Sequence, residues 1–76
     1  MSSNEPAVGR YRHYKGGEYE VIGVARHSET DERLVVYRPL DNVTGLWVRP
    51  LAMFLETVTF NGEPVPRFAY LGPNPL

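Results

Sequence analysis

Apolar and polar residues alternate with a period of two through most of this chain, and Gly, Pro, Asn and Asp interrupt the alternation every few residues. That period marks half-buried strands, so the pattern predicts several short strands joined by tight turns. The first is RYRHY, residues 10–14, with Tyr11 and His13 on one face and Arg10, Arg12 and Tyr14 on the other. Gly16 and Gly17 then turn the chain. The second is EYEVIGVA, residues 18–25. Its alternation slips between Val21 and Ile22, with Gly23 next, which predicts a bulge or sharp bend of the kind barrel corners use. RLVVYR, residues 33–38, is the third, with Leu34 and Val36 on one face and Val35 and Tyr37 opposite. Beyond the loop PLDNVTG, with Asp41, Asn42 and Gly45 as turn residues, a short fourth strand is expected over LWVR, residues 46–49. Leu46 and Val48 are expected in the core, with Trp47 and Arg49 facing away from it.

At Pro50 the period changes. Leu51, Phe54 and Leu55 follow at helical spacing, and proline suits the first position of a helix, so one or two helical turns are predicted. Asn61-Gly62 between apolar runs is a two-residue hairpin signal. Pro64 and Pro66 cannot donate to a ladder, which puts the returning strand on an edge. These elements predict an all-β fold: a small, strongly bent SH3-like barrel of about five strands with one short helical turn. An OB-type barrel ranks second, because it needs more chain. Residues 1–8 are expected to be a flexible lead-in, 9–68 the barrel domain, and 69–76 an extended tail able to dock on its own barrel or a neighbour's.

Composition narrows the function. A chain of 76 residues buries only about 60% of its unfolded surface. With no cysteine, a disulfide framework, a thiolate metal site and a cysteine nucleophile are all excluded. Eight basic residues against nine acidic ones leave a net charge of −1, which argues against a phosphate-binding nucleic-acid protein. No export signal and no long apolar run are visible, so a cytoplasmic protein that does not cross a membrane is expected, with self-association open.

The stretches GRYRHYKGGEYEVIGVARHSET, LVVYRPL, LWVRPLAMF and VPRF, in that order from Gly9 to Phe68, resemble a small family of bacterial proteins catalogued as a domain of unknown function. The resemblance implies an SH3-like barrel and no established activity. The chain departs from the family pattern at DNVTG, where a tyrosine-glycine connection is common, and at Ala52, where an acid is frequent.

Candidate chemistry concentrates in three places. RHSETDER, residues 26–33, reads first as a hairpin connection whose Ser28, Thr30 and Asp31 bond to nearby backbone. Its sharper reading is a metal-dependent or acid–base enzyme centred on His13, His27 and Glu29, although no close histidine spacing supports it. A Ser-His-acid arrangement fails, because adjacent residues on an extended chain point apart. RYRHYK interleaves cations with aromatics, the ingredients of a weak single-stranded nucleic-acid surface. Trp47 and Arg49 form an aromatic–cationic pair, and Arg67 is expected to converge with Arg49 near the RHSET loop, where two guanidiniums suit a carboxylate or phosphate. The leading expectation is a non-catalytic binding module that recognises a protein segment or an anionic small ligand. Its surface would comprise Tyr11, His13, His27, Glu29, Tyr37, Trp47, Arg49 and Arg67, with no cofactor and no metal.

Overall fold

A computed structural model of the chain describes residues 5–40 and 45–73. The strands are β1 (Gly9–His13), β2 (Glu18–Arg26), β3 (Arg33–Pro39) and β4 (Trp47–Pro50). The one-turn helix α1 (Leu51–Phe54) follows, then β5 (Thr57–Phe60), β6 (Glu63–Pro66) and β7 (Phe68–Gly72). β4, β3, β2, β1 and β7 pair in that order as an antiparallel sheet, and β5 with β6 makes a second, two-stranded one. The fold is all-β, small and barrel-like, with one short helix. Among the described residues no helix is long and apolar enough to cross a membrane. The turn expected at Asp41 and Asn42 lies outside the described residues.

Local sequence explains most of this order. The β2–β3 register shifts between Val21 and Gly23, placing the bulge at Ile22, where the alternation slips. Asn61 and Gly62 both have positive φ, 54° and 79°, the backbone that a two-residue hairpin turn with right-handed strand twist requires. Pro50 ends β4 and caps α1 from outside, one residue earlier than its expected place in the first turn. α1 closes through the bond from Leu55 N to Leu51 O, 3.1 Å long. β7 carries residues 69–72 into the sheet as the partner of β1, and at Gly9, with φ 148°, a Cβ would meet Gly72 O at 2.6 Å.

The core is aromatic. Tyr11, Val21, Val35, Tyr37, Phe54 and Phe68 are its buried members, with Tyr19 and Leu51 packed against them. Phe54 and Phe68 stack at 4.2 Å with their planes 5° apart, and Tyr11 and Tyr37 meet Phe54 edge-on. Burying each of the large side chains is worth about 1.5–3 kcal/mol, and these six residues form the core of a domain that has no cysteine for a disulfide. Both buried tyrosine hydroxyls are satisfied: Tyr11 Oη donates to Ala7 O at 2.8 Å, and Tyr37 Oη accepts from Arg49 Nε at 3.2 Å.

Candidate functional site

Strand pairing selects the residues that meet on the inner face. Tyr11 lies opposite Tyr19, Tyr37 opposite Trp47, Val35 opposite Arg49, and His13 opposite Phe68. Cross-strand partners share a face, so Trp47 and Arg49 lie on the same side as the buried Val35 and Tyr37. This corrects the expected orientation of β4. Leu46 and Val48, assigned to the core by alternation, are 62% and 58% exposed. Val48 pairs with Val36 on the outer face, and β4 is the edge strand of the sheet among the described residues. The inward side of such a strand ends at the rim of the core, which is why Trp47 touches Tyr19 and Tyr37 yet stays 41% exposed.

Arg49 is half-buried at this rim. Its Nε donates to Tyr37 Oη at 3.2 Å, and its guanidinium carbon lies over the Phe68 ring at 5.5 Å. Every other arginine has a carboxylate partner: Arg10 and Arg12 share Glu18, Arg26 meets Asp31, Arg33 meets Glu5, Arg38 meets Glu20, and Arg67 meets Glu56. Among the described residues Arg49 is the one arginine with no carboxylate within 4 Å.

Arg67 is positioned by the segment between β6 and β7. Its backbone N–H donates to Glu56 O at 2.9 Å, and its carbonyl accepts from Tyr14 N at 3.0 Å. One Nη bonds Glu56 at 2.7 Å, while its Nε is buried without a partner among the described residues. His13 completes the group. Its ring meets Phe68 edge-on at 5.0 Å and lies 4.6 Å from Tyr14. Its Nδ1 accepts from Lys15 N at 3.1 Å, so the proton of the neutral ring resides on Nε2. Burial holds its pKa below the ordinary 6.5, and the charges of Arg49, Arg67 and Lys15 lower it further. The charges of both arginines therefore act on His13, which lies at the other end of β2 from the RHSET loop where they were expected to converge.

The other candidate residues do not join this group. Tyr11 is buried in the core and 5% exposed. His27 organises the β2–β3 turn: its Nδ1 accepts from Glu29 N at 3.1 Å and from Thr30 N at 3.3 Å, and its backbone bonds Glu32 and Asp31. Glu29 is exposed in that turn. His13 and His27 flank opposite ends of β2, so the enzyme centre expected from His13, His27 and Glu29 is not assembled. No group of three or more metal-ligating side chains occurs among the described residues. Two residues that sequence reasoning missed belong to the site, Tyr19 and Phe68. Tyr19 was accessible through the KGG hairpin, whose register sets it opposite Tyr11. Phe68 depends on β7 returning to β1 across the whole chain, which leaves no local signal.

Fold and rim together define a class: a small all-β, barrel-like domain whose accessible inner edge is aromatic and cationic. The chain belongs to the family described as "Protein of unknown function (DUF1653)", whose model matches residues 9–70. It is similar to the crystal structure of a protein of that family from Bordetella bronchiseptica, at 46% identity with a TM-score of 0.82 over 90% of each chain. No curated protein matches the chain.

Proposed function

We propose that this protein is a non-catalytic binding module, in an SH3-like barrel and working in the bacterial cytoplasm, that holds an anionic group at the rim formed by Trp47, Arg49 and His13. The observation that carries this reading is Arg49, without a carboxylate partner among the described residues, beside the partly exposed Trp47. A half-buried guanidinium without a counter-charge is costly, and a bound anion relieves that cost with charge-assisted hydrogen bonds. The arrangement supports binding over catalysis. The histidines are at opposite ends of β2, and Ser28 lies in the His27 turn, remote from His13. The single-stranded nucleic-acid reading is weakened, because Glu18 takes two of its three cations, Arg10 and Arg12, each at 2.9 Å.

A protein segment is the second reading, favoured by an apolar groove of about 190 Å³ that His13 itself helps to line, with Tyr14, Phe60, Val65 and Pro66. One titration tests both. In ¹⁵N–¹H correlation spectra, small organic anions shift the resonances of Trp47, Arg49 and His13 and raise the pKa of His13. Shifts confined to Phe60 and Val65 with apolar peptides move the function to the groove. A spectrum unmoved by either set of probes refutes the binding module.

A further inference from the structure

Resting on that reading, we infer that the rim is built for a small arylalkanoate, a single carboxylate joined by a short spacer to a flat aromatic ring, with the carboxylate on Arg49 and the ring on Trp47.

Charge counting limits the ligand first. Arg67 is already compensated by Glu56 at 2.7 Å. His13 is held neutral by its burial and by the cations around it, Arg49, Arg67 and Lys15. Among the described residues Arg49 is therefore the one guanidinium at the rim without a carboxylate, the Lys15 ammonium being set over the Tyr14 ring at 5.8 Å, and a single free guanidinium matches a single carboxylate.

Geometry limits it next. Arg49 spends Nε on Tyr37 Oη, so the two Nη groups at the end of the guanidinium remain as the donor edge. That end-on pair fits the two coplanar oxygens of a carboxylate. The Phe68 ring beneath, 5.5 Å from the guanidinium carbon, and the Tyr37 bond together restrict the rotation of the plane. Trp47 stands two residues back on the same strand face, roughly 7 Å away along β4. Its indole leans on Tyr19 and Tyr37, each with ring centroids 6.0 Å distant, and the residue as a whole is 41% exposed. A flat ring laid on this indole reaches Arg49 with its carboxylate through a spacer of one or two carbons. The charge selects the acid, and the aromatic shelf selects what the acid is attached to.

The test uses the full chain, labelled with ¹⁵N, and four probes: indole-3-acetate, acetate, phenyl phosphate, and a hexapeptide ending in phenylalanine. Arg49→Lys keeps the charge and removes the fork; Trp47→Leu removes the shelf. Both change side chains that border solvent, and the dispersion of each variant's own spectrum shows whether it is folded. Indole-3-acetate is expected to shift Trp47 and Arg49 with a Kd on the order of a millimolar or tighter. Acetate should bind at least about tenfold more weakly, and each variant should lose about tenfold. Phenyl phosphate binding more tightly, with the same dependence on Arg49, overturns the carboxylate assignment while the anion-binding module stands. The hexapeptide binding much more tightly than the free acid gives the rim to protein chain ends and overturns the small-ligand assignment. Equal affinity of Arg49→Lys and the parent protein for indole-3-acetate overturns the fork. No shift at Trp47 or Arg49 with any probe overturns both this inference and the reading on which it rests.

Discussion

Phe54 is the residue on which the rim most depends without belonging to it, and replacing it tests the packing argument directly. α1 exists to place this ring: it is 2% exposed, stacked on Phe68 at 4.2 Å, and met edge-on by Tyr11 at 5.4 Å and Tyr37 at 5.9 Å. Truncating a buried phenylalanine to alanine costs about 3–5 kcal/mol, from lost transfer energy and the cavity left behind. Three ring contacts at one site put Phe54→Ala in the upper part of that range, about 4 kcal/mol. A domain of this length has roughly 4–11 kcal/mol in total, so the variant is expected to lose between about a third and all of its stability. Phe54→Leu keeps much of the apolar volume and loses the stacking, for about 1–2 kcal/mol. Met53→Ala, next in sequence but 42% exposed, serves as the control and should stay within about 0.5 kcal/mol. Urea unfolding followed by circular dichroism measures all three, with Phe54→Leu lowering the midpoint by about 1–2 M at a slope near 1 kcal/mol/M. A loss below about 1.5 kcal/mol for Phe54→Ala, or equal losses for alanine and leucine, would refute the view that this ring stack holds the domain together.

Three further outcomes are expected. Stability falls with acidification in two stages: His13 favours its neutral form when folded, so its penalty enters as pH drops through 6.5 and levels off below its lowered folded value. The Glu18 carboxyl, held charged by Arg12 and then Arg10, stabilises the fold above 4.5 and loses that contribution as pH falls through its own lowered value. Thermal melts across this range should show both stages, with His13→Gln removing the upper one, and Arg67→Gln should bring the imidazole pKa measured by NMR back toward 6.5. Gly9→Ala forces a Cβ against Gly72 O, 2.6 Å away, at a φ of 148°, and should release β7 from β1; faster amide exchange along Phe68–Gly72 is the readout, and unchanged protection would contradict the close approach. His27→Ala should cost about 0.5–1.5 kcal/mol through its lost turn bonds and leave anion binding at the rim unchanged, and Zn²⁺ should not raise the melting temperature of the parent protein.

What the sequence determined by itself is whatever short-range physics controls. Alternation placed β1, β2 and β3 within a residue of their observed ends, because the period of the pleat is written directly in side-chain polarity. The slipped phase at Val21–Ile22 marked the bulge, Asn61-Gly62 marked the turn, and Leu51 with Phe54 marked the helix, each through the conformational limits of a few adjacent residues. The same limits show His27 as a turn residue once Ser28, Thr30 and Asp31 are read with it. The tertiary structure decided which face is inside. Leu46 and Val48 are more apolar than Arg49, yet they face outward, because the register against β3 pairs Arg49 with the buried Val35 and Trp47 with the buried Tyr37. It also decided that β7 pairs with β1, that Phe68 reaches Phe54, and that Arg49 and Arg67 gather around His13. Polarity along one strand reports two faces without saying which is buried. Only the pairing of strands distant in sequence breaks that symmetry, and the proposed rim lies where the pairing of the described strands ends, at the edge strand β4.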